Sequence, residues 1–368
     1  MAAKSLNRNF ADNKKIEKVT AEQKFPGLIL PEDYHSDMDA LATAYAFQQL
    51  KNFIGLNLET ELHLHWVRAP LFVEKGTGIN DDLSGIEKPV SFPVKEMGEV
   101  EAEVVQSLAK WKRMALAKYE IPVYQGIYTD MHAIRPEERP DNLHSLFVDQ
   151  WDWELRIEEK DRNLDFLKKT VRKLHGILRR TEKFIYKQYG IKPILPEEIS
   201  FIHSEELLQE FPHLTPAERE NEITRQLKAV FVIGISGKLS DGKQHDGRSP
   251  DYDDWSTPNS RGFFGLNGDF FIWHPVLNHA IEISSMGIRV DKESLSRQLE
   301  LNNQNDRKEL LFHRMLLNDE LPLCIGGGIG QSRMGMYLLR KAHVGEINAG
   351  IWPDEMVEIC NKNGINLL

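Results

Sequence analysis

Cysteine is nearly absent. Among 368 residues only Cys324 and Cys360 occur, with no CxxC pair, which excludes a disulfide framework and a cysteine-based structural zinc site. Both read as buried small hydrophobes in a reducing, cytoplasmic compartment. Long apolar runs are missing too: none approaches the roughly 20 residues that a membrane span needs. The opening MAAKSLNRNFADNKK has no apolar stretch of the kind that marks a secretory signal, and Asp12 and Glu17 set it apart from an organellar presequence. An excess of basic charge is also lacking. With 46 Lys and Arg against 56 Asp and Glu, the formal net charge is -10, whereas polyanion binders carry a basic surplus. Nucleic acid is therefore not expected as a partner. His144, His203, His245 and His274 show neither HxH nor HExxH spacing, so no zinc site is expected, and His245 in DGKQHDG reads as part of a mobile loop. No internal repeat or low-complexity tract occurs.

What is present is a chain with 41% hydrophobic residues, enough for one large domain or two ordinary ones. Residues 1–38 are polar and irregular and read as an extension outside the core; residues 39–368 show no further boundary and read as a single domain. Asp37 or Asp39 is placed to cap a helix over ALATAYAFQQLKNFIGLNL. ELHLHWVRAPLFV is β-type, and Pro70 suits it to a sheet edge. KPVSFPV and EAEVVQSLA supply further strands or a strand-to-helix step. GIYTDMHAIR and LHSLFVDQWDWEL read as antiparallel strands joined by the charged loop 136–142. Residues 167–190 form an amphipathic basic helix with Leu167, Val171, Leu174, Ile177, Leu178, Phe184 and Ile185 at three- and four-residue steps. Its basic face reads as solvated surface, with a tRNA-facing helix as the alternative. AVFVIGI, GDFFIWH and AIEISSMGIRV are three more strands. Long helices mixed with non-alternating strands give an α+β class, helices flanking an antiparallel β-sheet.

Three stretches carry chemistry. CIGGGIGQSR (324–333) has no Gly-Lys-Ser/Thr, so it is no P-loop. It lies too near the C-terminus to open a Rossmann unit. It reads instead as a strand-to-helix corner whose glycines admit a ligand and whose Arg333 points at it. In EISSMGIR, strand alternation puts Glu282 and Ser284 on one face, with Ile281 and Ile283 on the other. That acidic face suits a hard cation completed by ATP phosphates, and Arg289 suits a bidentate grip on a small carboxylate. A structural ion pair is the equal alternative. In AIRPEE, Arg135 is placed to meet an α-phosphate during nucleotidyl transfer.

The order of these pieces resembles the catalytic domain of class II aminoacyl-tRNA synthetases. NDDLSG, HSLFVDQWDWE, GKLSDGKQHDGRSPDYDDWSTP, GLNGD, SSMGIRV and GGGIGQSR narrow the resemblance to the ammonia-dependent asparagine synthetases, or aspartate–ammonia ligases, from about Asn80 to Arg333. The resemblance implies ATP-dependent joining of L-aspartate and ammonia through a β-aspartyl adenylate, with release of AMP and diphosphate. It implies ATP at Arg135, Glu138, Gly328, Gly330 and Arg333, with Arg333 stacking on adenine or reaching the outer phosphates. Glu282 then stands at Mg2+, with Asp269 or Asp253 as a second acidic group. Arg289 reads the substrate side-chain carboxylate. Asp81, Ser107, Lys112, Gln150 and Asp152 surround the amino acid together with Ser284; Asp81 or Asp152 suits its ammonium, and Lys112 a carboxylate or phosphate. Arg135, Arg289 and Arg333 are the implied catalytic groups. Asp82 departs from members that carry Asn, which leaves open whether Asp81 or Asp82 takes the ammonium.

Rival readings are set apart by other features. An aspartyl- or asparaginyl-tRNA synthetase would share the adenylation site but carry an anticodon-binding barrel of roughly 100 residues, for which neither end has room. A glutamine-dependent enzyme would start with a cysteine nucleophile. A catalytically dead paralogue acting as a sensor would lack Arg135, Glu282 or Arg333. The class II resemblance also implies a homodimer formed through the helix near residues 40–58 and the strand after it.

Overall fold

The computed structural model describes residues 24–81, 83, 87–98 and 100–368. Asp39 accepts from the Ala42 N–H at 2.8 Å and starts helix α1 (Ala40–Leu62), which sends Ala46, Leu50, Ile54, Leu58 and Leu62 inward. The β-type run around Pro70 is broken in two, β1 (Leu64–Trp66) and β2 (Phe72–Glu74), which join different sheets, with Pro70 in the link between them. Strands β3 (Ser91–Pro93) and β4 (Glu101–Val104) join β2 in a small sheet of order β2-β4-β3. From β4 the chain turns into α2 (Ala109–Lys118).

The hairpin read from sequence is β5 (Gly126–Ile134) and β6 (Phe147–Arg156), antiparallel from Gly126↔Leu155 to Ile134↔Phe147. The basic helix is α3 (Leu164–Tyr189), capped by the Asn163 side chain and closed by Gly190 at φ 74°. Next come β7 (Ser200–His203), α4 (Ser204–Glu210), α5 (Pro216–Leu227), β8 (Ala229–Ile233), β9 (Asn267–His274) and β10 (His279–Ile288). The chain ends through α6 (Lys292–Leu301), α7 (Leu311–Leu317), β11 (Cys324–Gly330), α8 (Gln331–Leu338) and α9 (Asp354–Lys362).

Eight strands build one sheet in the order β1-β5-β6-β11-β10-β9-β8-β7. Only its outermost pairs, β1 with β5 and β7 with β8, are parallel; the rest is antiparallel, in line with the α+β expectation. One face is dry. Trp151 and Trp153 of β6, Ile325 and Ile329 of β11, and Ile281, Ile283, Met286 and Ile288 of β10 meet Leu50, Ile54 and Leu58 of α1 and Leu167, Val171 and Leu174 of α3. Truncating a buried Trp such as Trp153 to Ala costs about 3–5 kcal/mol. The opposite face carries apolar clusters toward its ends: Ala115, Leu116 and Ile127 near α2, Met131 and Ala133 of β5 with Val73 of β2, and Leu207, Ile223, Val230, Val232 and Phe271 near α4 and α5. Between these ends the face is polar and open.

Two expectations need correction. Residues 24–38 do not lie outside the core. Leu28 is buried in the main cluster, the Ile29 N–H donates to Asn142 Oδ1 at 2.7 Å, and the Tyr34 hydroxyl donates to Glu346 at 3.0 Å. An irregular polar segment gave no periodicity to reveal this. Residues 1–23 of the expected extension lie outside the described residues. The second correction concerns β10. Glu282 pairs with Phe271, but Ser284 pairs with Phe270, so Ile283 is an extra residue in a bulge. The bulge switches the alternation. Ser284 moves to the dry face, opposite Ile329 and Phe270, and Ser285 takes the open face opposite Gly328 and Asp269.

Candidate active site

The open face is read best in rows across the strands. Asp152 of β6, Gly328 of β11, Ser285 of β10 and Asp269 of β9 are successive partners; Glu154, Gly326, Gly287 and Asn267 form the next row. The middle two strands thus contribute almost no side chain, and their neighbours lean over them. A Cβ on Gly326 would stand 2.1 Å from Glu154 Oε2, and one on Gly328 2.2 Å from Gln150 Oε1. The glycines make room for protein side chains first. Gly330 begins the turn into α8, whose Arg333 is on the first turn.

Above these rows is a cavity of about 380 Å3, the size of a small-ligand site. Asp81, Ser107, Gln150, Asp152, Asp253 and Arg289 line it, together with Arg135, Glu138, Glu282, Gly328, Gly330 and Arg333. A second hollow of about 310 Å3 shares Leu143, His144, Asp246, Glu282 and Arg333 with it, and adds Asp269, Glu220 and Phe271.

The floor is strongly charged and dry. Arg289 is 3% exposed: its Nε and Nη2 donate to the two Glu154 oxygens at 2.8 and 2.9 Å, and its Nη1 donates to Asp253. Burial pushes the Glu154 carboxyl up, but Arg289 and Lys112 outweigh it and hold it below the usual range. Burial dominates at Asp152 and Asp253, whose carboxyls are raised despite Lys112 and Arg289 respectively. Arg333 donates to the Leu143 carbonyl at 3.1 Å and the Glu282 carbonyl at 3.0 Å, with the Glu282 carboxylate 3.5 Å away. Arg135, at the end of β5, lies 3.9 Å from Glu138, and its buried Nε has no hydrogen-bond partner. In the second hollow, burial and the nearby Glu282 and Asp246 push Asp269 to about 8 although Arg248 donates to it.

The family model for aspartate–ammonia ligase (AsnA) matches residues 41–364. The chain belongs to the aspartate–ammonia ligase family. An aspartate–ammonia ligase of Bacteroides fragilis is 56% identical over 342 residues, which cover 93% of this chain and 99% of that protein. One of Clostridium perfringens is 51% identical over 342 residues, with the same 93% and 99% covered. Among solved structures, asparaginyl-tRNA synthetase of Entamoeba histolytica in complex with asparaginyl-adenylate has a TM-score of 0.61 at 12% identity, over 84% of this chain and 66% of that one. Asparaginyl-tRNA synthetase of Pyrococcus horikoshii, complexed with asparaginyl-adenylate, has a TM-score of 0.59 at 15% identity, over 84% of this chain and 70% of that one. The chain spans about two thirds of those synthetases, and at such identities the likeness shows the fold.

Against the residues that the ligase resemblance implied, the cavity brings most together and displaces three. Lys112 does not face it: the side chain is fully buried, and its ammonium donates to Asp152, to the Trp153 carbonyl at 2.9 Å and to the Gly327 carbonyl at 3.3 Å. Its place on the inner face of α2 puts it under the floor. Ser284, moved by the bulge, borders the cavity, but its hydroxyl is buried without a hydrogen-bond partner beside Ile54, Leu174 and Ile329. Asp269 lines the second hollow and not the first. Asp82 lies outside the described residues. Of the acidic block SPDYDDW, only Asp253 and Tyr252 reach the cavity. Asp251 is held by Lys110, Arg307 and His313, each at 3.0 Å, and Asp254 by Arg162 at 2.7 Å. His245, expected in a mobile loop, is buried with Nε2 2.9 Å from Glu220. Sequence reasoning missed Glu154, Arg248, Tyr252 and Ser285. For Glu154 the signal was there, since period-two alternation from Gln150 and Asp152 leads to it.

Proposed function

We propose that this enzyme joins L-aspartate and ammonia at the expense of ATP, forming asparagine, AMP and diphosphate through a β-aspartyl adenylate. A β-carboxylate oxygen attacks the α-phosphorus and diphosphate leaves; ammonia then attacks the acyl carbon, and the carbon–oxygen bond to AMP breaks. Neither step needs a protein nucleophile, so positioning and charge stabilisation supply the catalysis.

The observation that carries this reading is Arg135, a half-buried side chain at the cavity whose Nε is shielded from solvent and has no hydrogen-bond partner. An unsatisfied buried donor is costly, and an α-phosphate oxygen would satisfy it. Arg333 takes the adenine or the outer phosphates, with Glu138, Gly328 and Gly330 around the nucleotide. Arg289 has five N–H donors, and the three donated to Glu154 and Asp253 leave two for a carboxylate. Asp81, Asp152, Gln150, Ser107 and Asp253 complete the amino-acid side.

Mg2+ fits the second hollow. Glu220, Asp246, Asp269 and Glu282 line it, and burial, with the Glu282 and Asp246 charges, raises Asp269 against the pull of Arg248. Among the described residues no group of three or more such side chains is placed to hold a metal ion; a cation here would take one or two carboxylates and complete its shell with phosphate oxygens. Glu282 and Asp269 would hold it, and when bound it would neutralise charge on the phosphates.

Support for a homodimer comes from α1 and β1, where Leu41 is 81%, Tyr45 65%, Leu56 58% and Trp66 53% exposed. The test of the activity uses aspartate labelled with oxygen-18 in its β-carboxylate, together with ATP, Mg2+ and ammonium. Label in AMP and equimolar asparagine are expected. Unlabelled AMP would rule out the adenylate. Aspartate-dependent ATP–diphosphate exchange with asparagine absent, rescued by tRNA, would move the protein to the synthetases.

A further inference from the structure

We propose that Glu154 is a positioning residue for substrate recognition: it fixes the guanidinium of Arg289 so that one N–H on each terminal nitrogen is presented to the side-chain carboxylate of aspartate. The inference rests on the ligase reading above.

Three observations carry it. The first is the geometry of the fork. Glu154 takes Nε and Nη2 of Arg289 at 2.8 and 2.9 Å, which is the side edge of the guanidinium plane, and Asp253 takes one hydrogen of Nη1. One hydrogen remains on Nη1 and one on Nη2; with Asp253 on the Nη1 hydrogen that points away from Nη2, these two form the end-on pair on which a carboxylate sits bidentately. A guanidinium offers donors only. Held rigidly, it meets a carboxylate with two acceptors and meets a carboxamide with one acceptor and one clashing donor.

The second observation is that the fold makes space for this carboxylate. Glu154 is fully buried and does not border the cavity, so no ligand touches it. Its Oε2 occupies the place where residue 326 would carry a Cβ, at 2.1 Å, and its partners in the row, Gly326 and Gly287, are both glycine. The third is that its charge is compensated from two sides. Lys112 is 3.5 Å from Oε2, and Arg289 is on both oxygens. A buried carboxylate so held is fixed in direction as well as in charge state.

The experiment measures steady-state KM and kcat for aspartate, together with ATP binding by fluorescence, in Glu154→Gln and Gly326→Ala. The first breaks the fork by placing an amide N–H against Arg289. The second keeps every charge and sets a methyl against both the Glu154 carboxylate and the Trp153 carbonyl, which stand 2.1 and 2.6 Å from its Cβ. Its melt is therefore compared with that of the parent before its KM is read. Both are expected to raise KM for aspartate about 10- to 100-fold, the scale of a misplaced contact, with ATP affinity within about twofold of the parent. Both should also narrow the preference for aspartate over asparagine as an inhibitor. Circular dichroism melts identify variants that fail to fold; if Glu154→Gln is one of them, Gly326→Ala carries the test. A folded variant of either kind with unchanged KM for aspartate overturns the proposal, and so does an equal loss of ATP affinity, which would mark a merely structural role. Should the parent enzyme form no asparagine, the ligase reading falls instead.

Discussion

The Lys112 ammonium donates to the Asp152 carboxylate and to the carbonyls of Trp153 and Gly327, and so ties helix α2 to strands β6 and β11 beneath the cavity floor. Replacing it leaves Asp152 as a buried carboxylate without its cation. Lys112→Met is expected to lose about 3–5 kcal/mol of stability, the cost of breaking a buried pair on one side. Urea denaturation measures it. A loss below about 1 kcal/mol would show that Lys112 contributes little to the floor.

Arg289→Lys keeps the charge and removes the planar fork. Aspartate-dependent ATP–diphosphate exchange is expected to fall by roughly a hundredfold, while ATP binding stays near that of the parent. Near-normal turnover at low aspartate would remove Arg289 from the role of carboxylate reader.

Ser284→Ala separates the bulge from the simple alternation that the sequence suggested. The buried hydroxyl has no partner, so its removal should leave KM for aspartate unchanged and stabilise the fold by about 1 kcal/mol. A large rise in KM would place the hydroxyl on the substrate after all.

Asp269 gives a pH signature. Its carboxyl is raised to about 8 by burial and by the carboxylates beside it. Between the ordinary carboxylate range near 4 and pH 8 the folded state therefore holds a proton that the unfolded state has lost. Stability should fall as pH rises through that window and level off above it. Melting curves from pH 5 to pH 9 should show this fall in the parent and lose it in Asp269→Asn. A cation at this site would also expel the proton. Calorimetry of Mg2+–ATP binding at pH 7 in two buffers of different ionisation enthalpy should detect the release, and Asp269→Asn should abolish it.

The exposed stripe of α1 predicts assembly. Tyr45→Arg should shift the mass measured by light scattering toward that of a single chain. A parent enzyme that is monomeric at micromolar concentration would refute the dimer.

Much of this architecture was legible in the residues. The cap at Asp39, the period of α3 and the β5–β6 hairpin follow from local rules, and the glycine-rich stretch does lead from a strand into a helix. Two kinds of information were not local. The bulge at Ile283 has no Gly or Pro to announce it within EISSM; it is fixed by pairing with Phe270 and Phe271 on the neighbouring strand. Depth is the other. Alternation assigns Glu154 to the same face as Gln150 and Asp152, yet only its fork with Arg289 and its complete burial show that it lies beneath the cavity. Likewise, helical period turns Lys112 inward without saying whether it meets a ligand or the protein.

The near-bare middle of the sheet has an implication for change over time and for design. Backbone at Gly326 and Gly328 sets the contour of the floor, whereas β6 supplies its polarity through Gln150, Asp152 and Glu154. Shape and chemical character thus reside on separate strands. Changing Asp152 or Glu154 for a new substrate would leave Lys112 or Arg289 buried without its partner, so the polarity of the floor can be rewritten only together with the cations that hold it.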